Sequence, residues 1–135
     1  MLEELRQFVL ERVAAVRAKN PEPLAARQAP DVITFDVLPP LYSRGSGSIA
    51  ERTQAWYDSY ASDIGYEVHD LHVSTDGDVG FCFFLYHVSG TLIAGDEVDM
   101  WMRATLCCCR SIDGRWLIKH DHESVPYDPT SGQGS

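Results

Sequence analysis

The periodicity of this chain changes once, near Ile64: apolar residues recur at helical spacing before it and alternate in strand fashion after it. Leu2, Leu5, Phe8, Val9, Val13 and Val16 fall three or four positions apart, with Glu3, Glu4, Arg6, Glu11, Arg12 and Arg17 between them. That spacing predicts an amphipathic helix over about residues 2–19, closed by Asn20-Pro21. A short second helix from Pro23 to Gln28 follows, stopped by Pro30, and Val32-Ile33-Thr34-Phe35 reads as a first strand broken by Pro39-Pro40. Ser43 to Ser48 is turn chemistry. Ser48 with Glu51 matches a capping box, which opens a third helix carrying Ile49, Arg52, Trp56 and Tyr60.

Beyond Ile64, β segments are expected at about 65–74, 78–90, 97–111 and 115–125. Asp76-Gly77 and Asp113-Gly114 are hairpin signals, and Ala94-Gly95-Asp96 marks the remaining turn. Helices first and strands last describe an α+β fold, with the helices on one face of a four-stranded antiparallel meander. A chain of 135 residues has room for one domain, expected over 1–127 with a flexible tail at 128–135.

Charge narrows the partners. Eleven Lys and Arg against 20 Asp and Glu give a net charge of -9, which repels phosphate backbones and anionic headgroups, so neither nucleic acid nor a membrane is expected. No run of about 20 apolar residues occurs. The acidic start, Met1 to Leu5, is unlike a secretory signal, and the expected compartment is the cytoplasm. Cys107, Cys108 and Cys109 are consecutive and Cys82 stands apart, a spacing unlike zinc sites or a disulfide framework, and they read as small apolar residues of buried strands.

The element order, with the segments Asp31 to Asp36, Asp99 to Thr105 and Gly114 to Ser124, resembles the SnoaL-like and ketosteroid isomerase-like branch of the nuclear transport factor 2-like superfamily, over about residues 3–127. The resemblance implies a cone: a strongly bent antiparallel sheet packed on three helices, a cystatin-like roll enclosing a pocket. It also implies a small hydrophobic ligand in that pocket, polar groups on the concave sheet face, a homodimer through the sheet and no cofactor. Isomerases, cyclases, dehydratases, epoxide hydrolases and noncatalytic dimerisation modules all share this fold, so activity must be argued from the site.

Asp36 ends the first strand and is similar in place to the carboxylate that ketosteroid isomerases use as general base. Such a base must lie within hydrogen-bond reach of the carbon it deprotonates, with its pKa raised by apolar walls. The first helix, however, has no tyrosine for a steroid-type oxyanion hole. A plain alternative for Asp36 is a turn residue that caps the backbone near Pro39-Pro40.

On the third long strand Asp99, Trp101, Arg103, Thr105 and Cys107 share one face and Val98, Met100, Met102, Ala104, Leu106 and Cys108 the other. Either set can meet the helices. The resemblance favours the first as pocket lining, with Trp101 and Asp99 as ligand contacts and Arg103 as a clamp, against a plain Asp99–Arg103 surface ion pair. On the last strand Trp116, Ile118, His120, His122 and Ser124 share a face, and the charges of Lys119, Asp121 and Glu123 mark the other as solvent-facing. His120 and His122 then point inward, about 7 Å apart, as proton shuttles or donors, with Ser124 as a ligand contact. The alternative for both is a satisfied core histidine.

The two histidines with Asp99 or Asp36 offer only a weak metal-binding pattern. His69 and His72 cannot share a strand face, whereas His87 shares one with Phe81, Phe83 and Leu85. Trp56 and Tyr57 on the third helix and Tyr42 before it read as core or pocket-rim aromatics, with Tyr42 and Trp56 as ligand contacts. Nucleophile-elbow, phosphate-loop and dinucleotide motifs are missing. The expected function is cofactor-independent proton transfer on a hydrophobic carbonyl or polyketide-like molecule, with Asp36, Arg103, His120 and His122 as catalytic groups. The competing expectation is a noncatalytic ligand-binding or dimerisation module of the same fold.

Overall fold

The computed structural model describes residues 2–130 and the backbone of residues 133–134. Helix α1, Leu2–Arg17, buries Leu5, Phe8, Val9, Ala15 and Val16 along the stripe that its spacing predicts. Helix α2, Glu22–Ala26, has proline in its first turn, where the missing N–H has no helical partner to lose. Strand β1, Gln28–Phe35, begins earlier than expected because Pro30 falls where the register shifts between Gln28 and Ile33, and there its lack of a donor matters little. After β2, Ser43–Arg44, helix α3 covers Ile49–Asp58. Ser48 sits at its N-cap but makes no side-chain cap bond.

The meander follows as β3, Gly65–Asp76; β4, Val79–Thr91; β5, Glu97–Arg110; and β6, Trp116–Ser124. Gly77 and Gly114, at φ 62° and 85°, supply the left-handed turn positions of two hairpins. The sheet order is β2-β1-β6-β5-β4-β3, antiparallel except for the β1–β6 pair. Tyr127–Asp128 (β7) pairs with Gln133–Gly134 (β8), Pro129 and Thr130 lie in a turn, and residues 131, 132 and 135 of the expected flexible tail lie outside the described residues. None of the helices is long and apolar enough to cross a membrane, among the described residues.

One sheet face packs on the helices and the other is uncovered. The apolar set of β5 turns inward: Ala104, Leu106 and Cys108 join Phe8, Tyr57 and Ile118 in the core. Asp99, Trp101 and Arg103 therefore lie on the outer face, opposite to the expectation, because burying six apolar side chains outweighs burying a mixed polar set.

Two bulges then overturn simple alternation. In β6, Cys108 stands opposite Ile118 but Cys107 stands opposite His120, so Lys119 is an extra residue. Trp116 and Ile118 face inward before it, and Asp121 and Glu123 after it. His120, His122 and Ser124, expected inside, are outside. In β3 the register shifts between His69 and His72, with Asp70 at φ 55°, and the shift brings His69 and His72 to the same outer face, opposite Leu85 and Phe83.

Candidate functional site

The concave face gathers charge that the helical stripe itself delivers. Arg12 lies seven residues after Leu5 and four before Val16, so it points into the core from α1. Its Nη2 stands 3.8 Å from Asp121 Oδ2, with the two side chains 10% and 7% exposed. Burial works against the guanidinium charge, but Asp121, followed by Tyr66, Glu123 and Tyr86, outweighs it and holds the pKa above the ordinary value. Burial pushes Asp121 well above the usual carboxylate range and Glu123 pushes it further, while Arg12 opposes both. Asp121 Oδ1 and Arg12 Nε are buried without a hydrogen-bond partner, among the described residues.

Glu123 is the next inward residue of β6 and accepts a hydrogen bond from the Tyr86 hydroxyl. Its charge, two residues along the same strand, helps to keep the proton on Asp121. Tyr66 stacks on Tyr86 with ring centroids 5.0 Å apart. Burial raises the pKa of both phenols, which keeps them as neutral donors.

Asp36 closes the set from the loop after β1. Its side chain is 39% exposed, Arg52 Nη2 of α3 stands 3.7 Å from Oδ2, and Oδ1 accepts the Val37 amide at 2.6 Å. Partial burial and then Glu123 raise its pKa, against the Val37 and Leu38 amides and Arg52. Nearby, Val98, Met100 and Met102 of β5 are only half-buried on the concave side, whereas Ala104, Leu106 and Cys108 further along the strand are sealed. The inner row of β5 is thus sealed at one end and half open at the other.

Of the site residues expected from sequence, Asp36 joins this set, and half-buried Trp56 contacts the rings of Tyr57 and Tyr60. Tyr42 is exposed in the loop before α3. The others assemble elsewhere. On the outer face Trp101 sits between His69 and His87 at centroid distances of 4.9 and 4.8 Å. Asp99 bonds His87, and Arg103 Nε donates to Ser124 Oγ at 3.1 Å. His120 and His122 pack against Phe35. Among the described residues, no group of three or more His, Cys, Asp or Glu side chains is arranged to hold a metal ion.

A sequence model of the SnoaL-like domain matches residues 5–128. The chain belongs to the SnoaL-like domain family. Among curated proteins, none matches it. Solved structures similar to this SnoaL-like chain include a nuclear transport factor 2-like protein of unknown function from Pseudomonas putida KT2440, 23% identical, with TM-score 0.88 over 99% of this chain and 92% of that one. A candidate dehydratase of the same fold from Streptomyces avermitilis is 18% identical, with TM-score 0.77 over 90% and 93% of the two chains. A ketosteroid isomerase-like protein from Erwinia carotovora atroseptica is 18% identical, with TM-score 0.76 over 91% and 94%. At these identities the likeness shows the fold.

Arg12, Asp121, Glu123, Tyr66 and Tyr86 of this SnoaL-like chain were not among the expected site residues. Arg12 carries a legible signal, a cation at a stripe position. Asp121 and Glu123 carry none, since an unbulged β6 would turn both to solvent.

Proposed function

We propose that this SnoaL-like chain catalyses proton transfer, as in isomerisation, cyclisation or dehydration, on a small hydrophobic carbonyl or polyketide-like molecule, using its own side chains and no cofactor. A cytoplasmic setting and a homodimer paired through the outer sheet face belong to the same reading. The observation that carries it is the mutual influence of Asp36, Asp121 and Glu123 beside Arg12 on the helix-facing side of the sheet. Carboxyl groups so placed do not all ionise at neutral pH, so the cluster holds an acid and a base together. Asp36, with its raised pKa, takes the role of base. The proton that burial keeps on Asp121, together with the Tyr86 hydroxyl, stabilises the oxyanion that forms as the substrate loses its proton. Met100, Met102 and Trp56 form the apolar bed for the ligand.

One observation favours the noncatalytic reading: Asp36 already has the Val37 amide and Arg52 as partners, as a purely structural turn residue does. The two readings separate in heavy water. Incubated with a panel of enolisable ketones, the chain is expected to exchange α-hydrogens for deuterium, read by proton NMR. Asp36→Asn is expected to slow exchange by about a hundredfold or more. Ketone binding with no exchange above buffer supports the noncatalytic module, and equal rates for the two proteins remove Asp36 from the mechanism.

A further inference from the structure

All five histidines of the chain stand on the outer face of the sheet. Cross-strand registers arrange them in rows. Ser74, Phe81, Cys107, His120 and Ile33 form one row, and His72, Phe83, Thr105, His122 and Phe35 form the next. His69, Leu85, Arg103 and Ser124 make a third row, and Glu67, His87 and Trp101 a fourth.

The first two rows contain no carboxylate, although the chain has 20 acidic residues against 11 basic ones. They expose Phe35, Phe81 and Phe83, flanked by Leu85 and Trp101 of the next rows, an apolar patch of the kind that marks an interaction face. Charge selects the occupant. A second copy brings its own net charge of -9, so it approaches favourably only through a surface free of that excess, and a twofold pair lays these rows upon themselves.

We propose that a second copy of the chain docks on these rows and that the histidines gate the docking: neutral imidazoles admit the copy and protonated ones expel it. This rests on the homodimer reading above and adds its regulation.

His120 Nδ1 lies 2.7 Å from the Ile33 carbonyl oxygen and must donate to it, so an added proton goes to Nε2. His72 stacks on Phe83 at 4.7 Å, and His122 faces Phe35 at 5.3 Å. A cation at any of these places, covered by a second copy, has little to compensate it. Cys107 and Thr105 across from β5 are neutral, Arg103 is cationic, and Lys119 of β6 is already paired with Asp31 of β1. Of the remaining carboxylates, Glu67 reaches His69 and His87 and Asp99 bonds His87, while Asp70, at the β3 bulge two residues before His72, makes no ion pair or hydrogen bond with it among the described residues. The bond from Asp99, aided by Glu67, raises the pKa of His87, so its charge is compensated in single and paired copies alike and does not gate. The separated copies therefore bind protons more tightly, and association weakens as pH falls. The overall charge predicts the reverse, since acidification reduces the general repulsion between two chains of charge -9.

Sedimentation equilibrium of the full chain at pH 7.5 and 5.5, with far-UV circular dichroism to verify folding, tests this. The wild type is expected to pair at pH 7.5, with a dissociation constant about tenfold or more higher at pH 5.5. A variant with His72→Gln, His120→Gln and His122→Gln is expected to hold its constant within about threefold between the two conditions, as linkage requires once the gating protons are gone. Should the triple variant not fold, His72→Gln and His122→Gln singly, both at exposed positions, each reduce the response. A wild type that is monomeric at both pH values overturns the homodimer and the gate together. A pair of equal strength at both pH values overturns the gate and leaves the homodimer standing, and Gln variants that still dissociate on acidification also overturn the gate.

Discussion

Arg12 Nη2 lies 3.8 Å from Asp121 Oδ2 across the core, one contact joining the first helix to the last long strand. Removing one member strands the other in a low-dielectric interior. Arg12→Ala is expected to lower the free energy of unfolding by about 3–5 kcal/mol, whereas the double variant Arg12→Leu with Asp121→Leu recovers most of that loss. Urea denaturation of the three proteins measures both.

Stability should depend on pH through Asp121. Its pKa in the folded chain is well above the ordinary value of 3.8, so the folded state holds a proton that the unfolded state releases. The resulting stabilisation is complete below that ordinary value and is lost as pH rises toward the folded pKa. Asp121→Asn removes the titration. Denaturant midpoints from pH 4 to 8 are expected to show the variant gaining on the wild type as pH rises, and parallel curves would contradict this.

Arg52 restrains the pKa of Asp36. Arg52→Gln is expected to shift the Asp36 carboxyl titration upward, followed by carbon-13 NMR, and to move the onset of any exchange activity to higher pH in step. A downward shift would mean that Arg52 does not face the carboxylate in solution.

Gly90 of β4 has φ 151°, and a Cβ there would stand 2.9 Å from Tyr60 Cδ2. Tyr60 also carries the ring contact to Trp56. Gly90→Ala is expected to cost about 1–3 kcal/mol in chemical denaturation, through strain and displacement of that aromatic pair.

The helices and the four long strands were legible because their periods differ and their hairpins are marked by glycine. Asp36 was legible as a carboxylate at a strand end. The faces of β3 and β6 were not, since alternation carries no sign of an extra residue: Asp70 and Lys119 look like any others, yet every side chain beyond them changes side. On β5 the pattern offered two sets without ranking them, and burial of the apolar one decided. For Arg12 the clue is its position on the apolar stripe of the first helix, which outranks the usual preference of arginine for solvent.

Lys119 makes the chemistry inside the cone a question of counting. Without that one residue, simple alternation would turn His120 and His122 toward the helices and Asp121 and Glu123 toward the uncovered face. A single deletion therefore exchanges the groups that the last long strand presents on its two sides, where point substitution would have to replace each of them in turn.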